Sequence, residues 1–351
     1  MTNLDKRVTD ACHRIEELYY ETGGKCYVSF SGGKDSTVLL ALIKLCEEVY
    51  TIPENAIPAV FSNTGIELGV TVDFVKWVKE NYYHNVQIIR PPVSFDYVLK
   101  EKGKPMLSKL KSEYIGRWHS GNRSRSVTQN LILGESNNGG IAWKLKLADK
   151  DMHIIHDDFP ILVSKECCKY LKKDPFKLYA KREGMKGQCT GIRTGEGGAR
   201  ELNAEARKRN PNAKLCTTVN KSGFINKMPL IDWTDEDIEE FIKAYNVPLS
   251  DAYTKYGFIR TGCMACPYSY KWLPHHLEYL YYHEPNRYKA SMYWLKDVYI
   301  AQNVVLPFDL SYEREREREW REKYEPMRQE MLRKYRPHSK LIKDGEQLTL
   351  F

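Results

Sequence analysis

The chain has 351 residues, of which 42% are hydrophobic and 28% charged, and 54 Lys and Arg against 46 Asp and Glu give a formal net charge of +8. That length can bury a large core, in one big domain or two unequal ones. No run approaches the roughly twenty apolar residues of a membrane span, and nine cysteines are too sparse for a disulfide scaffold.

The opening "MTNLDKRVTDACHRIEELYY" has the pattern of an amphipathic helix carrying acids, unlike a secretory leader, and a cytoplasmic protein is expected. Apolar strands follow at "CYVSF", "AIPAVFSN" and "VQIIR", with helical segments near 36–49 and 70–81. Strands separated by helices of that length predict an α/β fold, a parallel twisted sheet with helices on both faces. Residues 100–160 are polar, and an insertion with helices and a mobile loop is expected there. "QCTGIR" and the apolar end of "FINKMPLIDW" are expected to rejoin the sheet. From Thr234 onward the pattern is mainly helical, and "EREREREWREKYEPMRQEMLRKY" reads as a solvated surface helix. The expected division is a nucleotide-binding domain over 1–233 and a helical region over 234–351.

The positive charge is local. Residues 100–125 carry a net +6 and residues 165–186 a net +5. Patches of this kind suit a polyanion, a solvated basic surface being the alternative.

Between the first strand and the first sheet helix stands "SGGKDS", residues 31–36. Glycines at a strand-to-helix turn let backbone N–H groups approach an anion at the positive helix end, and Ser31 and Ser36 add hydroxyls. The Walker A pattern is absent. The hexamer resembles the pyrophosphatase loop of the adenine-nucleotide α-hydrolase superfamily, whose members cleave ATP between the α and β phosphates. The resemblance implies that Ser31, Gly32, Gly33, Lys34, Asp35 and Ser36 surround the pyrophosphate, with Asp35 near Mg²⁺ and Lys34 neutralising the leaving group.

Three further segments resemble the phosphoadenosine phosphosulfate reductase branch of that superfamily. "VFSNTGIE" (60–67) matches its second motif and implies a nucleotide contact by Asn63, Thr64 and Gly65, although family members usually carry Asp where this chain has Asn63. "GIRTGEGGAR" (191–200) resembles its Gly-x-Arg-x-x-Glu-Ser-x-x-Arg element, with Gly197 in place of the Ser. "PLIDWTDEDI" (229–238) matches its Pro-hydrophobic-x-Asp-Trp-Thr-x-x-Asp segment. Arg193 and Arg200 have the guanidinium chemistry to grip phosphate or sulfate bidentately; salt bridges with Glu196 or Glu201 are the alternative. Trp233 and Asp237 are expected to pack and orient a helix start.

"KECCKY" and "TGCMACPYS" place Cys167 beside Cys168 and Cys263 three residues before Cys266. Adjacent cysteines cannot easily aim both sulfurs at one small ion, whereas the separate iron corners of a cubane ease that demand. The arrangement resembles the 4Fe–4S ligands of cluster-containing members of the branch, with zinc as the alternative. Cys26 and Cys46 lie in apolar patterns and read as core. Cys189 is either core packing or a persulfide carrier.

Sulfonucleotide reductases use a cysteine near the C-terminus, and no cysteine follows Cys266 in this sequence. Their pyrophosphatase loop also tends to be degraded, whereas "SGGKDS" is intact. The combination resembles the ATP-pyrophosphatase component of bacterial DNA phosphorothioation, and cluster-bearing tRNA thiolases use similar chemistry. The resemblance implies ATP, Mg²⁺ and a 4Fe–4S cluster as cofactors, nucleic acid as acceptor with DNA before tRNA, and a cysteine desulfurase as sulfur source. A sulfonucleotide reductase and a non-catalytic nucleotide-binding subunit are the alternatives. The closing Gln347-Leu348-Thr349-Leu350-Phe351 resembles the peptide with which bacterial replication proteins bind the sliding clamp; docking on the protein itself is the alternative.

Overall fold

A computed structural model describes residues 3–49, 51–135, 145–194 and 215–342. Glu196, Gly197 and Arg200 of the 191–200 motif, Glu201 after it, the Gln347–Phe351 tail and part of the expected mobile loop lie outside the described residues. The chain forms two compact units, one of residues 1–92 and 171–263, the other of 93–170 and 264–351. The chain therefore passes between units at three points.

The first unit is built on six strands: β1 (Cys26–Ser29), β2 (Ala59–Ser62), β3 (Val86–Ile89), β4 (Gly187–Cys189), β5 (Thr217–Val219) and β6 (Ile225–Lys227). Their order is β3-β2-β1-β4-β6-β5, parallel except for β5, which runs antiparallel to β6 at one edge. Alternate side chains of β1 explain the two faces. Cys26 and Val28 join Ala59, Phe61, Val86 and Cys189 in the large core, against helices α1 (Asn3–Glu21), α2 (Lys34–Glu48) and α3 (Gly69–Asn81). Tyr27, Val60 and Tyr179 form a smaller core on the opposite face, where helix Asp174–Arg182 packs. Helices thus cover both faces of the mostly parallel sheet, as the sequence pattern predicts. In α1 the buried Ala11, Ile15 and Leu18 share one helical stripe.

The strand at "FINKMPLIDW" is its beginning, Ile225–Lys227, not the apolar end. Pro229 has no N–H to give a ladder, so the chain leaves the sheet just before it. Leu230, Ile231 and Trp233 are nonetheless buried in turns beneath it. Thr234 caps the next helix, Asp235–Ala244, in a capping box with Asp237. Arg14 holds this corner from α1, donating to Pro229 O at 2.8 Å and bidentately to Asp232 at 2.7 and 3.0 Å. Trp233 and Asp237 therefore do the packing and orienting expected of them.

The second unit is helical, with helices Phe95–Lys102, Lys109–His119, Leu273–His283, Pro285–Ala301, Leu310–Glu319 and Glu325–Tyr335. Its centre holds His153, ringed by Phe159, Trp320 and Tyr324, with Nε2 2.8 Å from Ala301 O. Burial drives this imidazole down to about 4, so it is neutral at physiological pH. The charge-alternating segment is less solvated than its pattern suggests, because Tyr312, Tyr324, Met331 and Leu332 are buried. Its helix widens into a π-type turn at Trp320–Tyr324, immediately before Pro326, whose ring and missing N–H disfavour a regular α turn there. No described helix is long and apolar enough to cross a membrane.

Candidate functional site

Strands β2, β1 and β4 lie side by side, and the three family-like motifs leave their C-terminal ends. The order reverses at β1: successive strands run to one side as far as β3, and β4 pairs on the other. In open parallel sheets that switch point, at the carboxyl ends, is where ligands bind.

The turn after β1 is closed by its own hydroxyls. Ser36 Oγ donates to Gly33 O at 2.9 Å, accepts from the Ser31 N–H at 3.2 Å and lies 3.0 Å from Ser31 Oγ. Gly32 takes φ +68°, and a Cβ there would meet the Val75 and Thr71 methyls of α3 at 3.0 and 3.1 Å. Both conditions require glycine. Gly33 is the N-cap of α2 with no side-chain cap of its own. The positive end of a 15-residue helix thus faces the turn.

Arg193, on the loop after β4, reaches across the switch point. It is 5% exposed; its Nε donates to Asp35 Oδ1 at 3.1 Å and its second amino group to Asp235 Oδ1 at 2.6 Å. The Arg193 hydrogen bond holds the Asp235 carboxyl below the usual carboxylate range, with Lys34 and Arg260 also within electrostatic reach. Arg193 and Lys34 therefore stand at the N-terminal end of α2, with Arg260 within electrostatic reach of Asp235. Gly191 allows this approach, since a Cβ on it would stand 3.1 Å from the Asp35 backbone. Lys34 Nζ lies 3.9 Å from Glu239.

The motif after β2 is a tight turn. Asn63 Oδ1 accepts from the Gly65 N–H at 3.1 Å, and Gly65 takes φ +82°. Thr64 donates to the buried Glu67 through N–H at 2.9 Å and Oγ1 at 2.8 Å. Glu67 bridges Cys263 through the backbone and has Lys172 at 4.0 Å. The uncharged Asn63 side chain serves the turn itself.

Cys167, Cys168 and Cys266 belong to the second unit, whereas Cys263 ends the first. The three are within electrostatic reach of Tyr268, whose phenol is pushed up by burial and by them. Tyr268 donates to Ser164 O at 3.2 Å. Ala265, between the paired cysteines, takes φ +54°, and Tyr299 donates to its carbonyl at 2.5 Å. The soft thiol donors suit an iron–sulfur cluster. Their arrangement does not itself form one, since among the described residues no group of three or more His, Cys, Asp or Glu is placed to hold a metal ion. Cys26, Cys46 and Cys189 are fully buried in the large core, and burial raises Cys189 well above a normal thiol.

Many charges of the basic segments are neutralised locally. Lys104 contacts Asp297 at 2.8 Å, Arg123 contacts Asp157 at 2.9 Å, Lys169 contacts Glu166 at 3.4 Å, and Lys165 pairs with Glu113. Residues that the sequence does not mark as part of the site are Gly191, Asp235, Arg260, Tyr253 and Thr261. Gly191 and Asp235 lie within the quoted motif segments and Arg260 and Thr261 just before the Cys263 pair, whereas Tyr253 had no signal.

Residues 25–120 and 121–269 match the phosphoadenosine phosphosulfate reductase domain. The chain is 26% identical to an uncharacterized protein of Methanocaldococcus jannaschii over 75% of its own length and 46% of that protein's. It is also 26% identical to adenosine 5'-phosphosulfate reductase 2 of Bacillus subtilis, over 75% of this chain and 83% of the relative. Among solved structures, phosphoadenylyl-sulfate reductase of Candida auris matches with a TM-score of 0.39 and 15% identity, covering 71% of this chain and 87% of that one. FMN adenylyltransferase of Candida glabrata in complex with ATP matches with a TM-score of 0.39 and 14% identity, covering 75% and 63%.

Proposed function

We propose, from the premise that this chain belongs to the phosphoadenosine phosphosulfate reductase domain family, that it cleaves ATP between the α and β phosphates and transfers the adenylyl group to a nucleic-acid oxygen. The acceptor is a backbone phosphate oxygen, of DNA before tRNA, and adenylation makes that oxygen displaceable by sulfur. The observation that carries the reading is the intact Ser31–Ser36 turn at the α2 N-terminus, with Arg193 bonded to its Asp35 and Lys34 in the first turn of the helix.

The residues divide the work as follows. Backbone and hydroxyl groups of Ser31–Ser36 hold the β and γ phosphates. The acceptor oxygen attacks the α phosphorus, the bond to the bridging oxygen breaks, and pyrophosphate leaves with that electron pair. Lys34 and Arg193 stabilise its charge. Arg193 is kept aimed by Asp35 and Asp235, so the carboxylates prevent the guanidinium from swinging away before nucleotide arrives. Mg²⁺ in such sites is held by one or two carboxylates together with the phosphates, and Asp35 is the carboxylate the turn offers. When bound, the ion screens charge on the leaving group. Sulfur comes as the terminal sulfur of a persulfide from a cysteine desulfurase: it displaces AMP at the adenylated phosphate, and a second thiol attacks the carrier sulfur to leave the thiophosphate and a disulfide. A 4Fe–4S cluster would take Cys167, Cys168, Cys263 and Cys266 as its thiolate ligands, and no step is assigned to it.

The second reading, a sulfonucleotide reductase, is favoured by the Bacillus subtilis relative. ATP labelled at the α or the γ phosphate separates the two. Labelled AMP from the first and labelled pyrophosphate from the second support ATP cleavage at the α phosphorus. ADP as the only product overturns it.

A further inference from the structure

The Lys34 N–H, first in α2, donates to the phenolic oxygen of Tyr253 at 3.1 Å. The same oxygen receives the Thr261 N–H at 3.4 Å and lies 3.0 Å from Thr261 Oγ1. Two amides converging on one oxygen leave the phenol's own proton for the threonine hydroxyl. Both hydroxyls rest on the glycine turn, since a Cβ on Gly33 would meet Thr261 Oγ1 at 3.1 Å and Tyr253 OH at 3.3 Å. The phenol is held there by its scaffold. Its short helix, Asp251–Thr254, is capped by Ser250, which also donates to Val70 O of α3 at 3.4 Å, and Gly32 packs on that same helix.

Two amides aimed at a single oxygen, one of them the first of a helix, are an arrangement that binds a phosphoryl oxygen. We infer that the Tyr253 hydroxyl is a placeholder for a phosphate oxygen, occupying the Lys34 and Thr261 amides until a polyphosphate displaces it. This rests on the reading of Ser31–Ser36 as a pyrophosphate cradle. Tyr253 is then a positioning residue. It keeps the donors aimed and satisfied while the site is free, and sets how tightly the turn holds phosphate. Charged phosphoryl oxygens form hydrogen bonds roughly twice as strong as a neutral phenol does, so the exchange favours polyphosphate. Each binding event still has to break the phenol's bonds. A neutral ligand of the same size would not displace it, and the device selects for charge.

The test is calorimetric titration of the full chain with inorganic pyrophosphate, comparing wild type, Tyr253→Phe and Thr261→Val. Tyr253→Phe keeps the ring and removes the competitor, so it is expected to bind pyrophosphate about 3–10-fold tighter, the effect of one or two net hydrogen bonds. Thr261→Val, which loosens the phenol without removing it, is expected to move affinity the same way by less. In the free Tyr253→Phe protein the Lys34 amide is expected to exchange its hydrogen faster than in free wild type. A purely structural role would weaken binding or leave it unchanged, and either result with a wild type that binds overturns the placeholder alone. Weaker binding by Tyr253→Phe would make the hydroxyl a donor to the ligand instead. Failure of all three proteins to bind pyrophosphate overturns the cradle reading and the placeholder together.

Discussion

Replacing Gly32 with Ala tests the geometry of the turn more sharply than removing a charged side chain, because the structure supplies an internal control. Gly32 and Gly65 both take positive φ, at +68° and +82°. Adding a Cβ at either costs roughly 1–2 kcal/mol of backbone strain. At Gly65 nothing lies within 4 Å of the new carbon, whereas at Gly32 it would meet Val75 Cγ2 at 3.0 Å and Thr71 Cγ2 at 3.1 Å. Val75 and Thr71 are 0% and 1% exposed, so neither methyl has room to retreat. Overpacking of this kind adds about 1–3 kcal/mol. The expected local destabilisation is therefore about 2–5 kcal/mol for Gly32→Ala against about 1–2 kcal/mol for Gly65→Ala. Hydrogen exchange read by mass spectrometry over residues 31–48 and 69–81 measures it where it acts, without requiring the two units to unfold together. Gly32→Ala should also bind pyrophosphate at least tenfold more weakly, because the turn must move with α3. Equal exchange in the two variants would refute the packing of the turn on α3.

Arg193→Met keeps much of the stem and removes the fork. Discounting the Asp235 bond, whose carboxylate is 72% exposed, the loss is about 2 kcal/mol, chiefly from the Asp35 contact. Because Asp235 is held below its usual value, the pair's contribution is complete above the ordinary carboxylate range. It fades as pH falls below about 4, so the small Asp235 part of the difference between urea melts of wild type and variant should be lost in acid. Thr234→Ala removes one half of the capping box and should cost about 0.5–2 kcal/mol, read as faster hydrogen exchange over residues 235–244. Anaerobically purified protein should carry iron and sulfide, and Ala at Cys167, Cys168, Cys263 or Cys266 should deplete them. Stoichiometric zinc without iron would reject the cluster.

How much of this could be read from residues alone depended on how each element is stabilised. Strands β1 and β2 showed as apolar runs because they are buried on both faces, and the helix start showed in "WTDED" because its chemistry is local. Strand β5 is three half-exposed or exposed residues at an antiparallel edge, and it had no such signature. In β6 the buried Lys227 is made tolerable by Glu17, an ion pair with α1 that no local pattern contains. The phosphate-like turn was legible as a hexamer. Of its surroundings Arg193 was legible in "GIRTGEGGAR", whereas Asp235, Tyr253 and Thr261 were not, since they reach it through the sheet order and the packing of α3. Basic residues counted in sequence overstated the free charge, because Lys104, Arg123 and Lys165 meet acids distant along the chain.

Single-turnover pyrophosphate release from ATP, by anaerobically prepared protein with duplex DNA and Mg²⁺, tests the central claim most directly. Wild type should release pyrophosphate in step with AMP formation, and Asp35→Ala should be slowed by about 10²–10³-fold, the loss expected when a group stabilising the leaving charge is removed. Release of sulfite from adenosine 5'-phosphosulfate with no pyrophosphate from ATP, in the same preparation, would contradict the account and assign the chain to sulfonucleotide reduction.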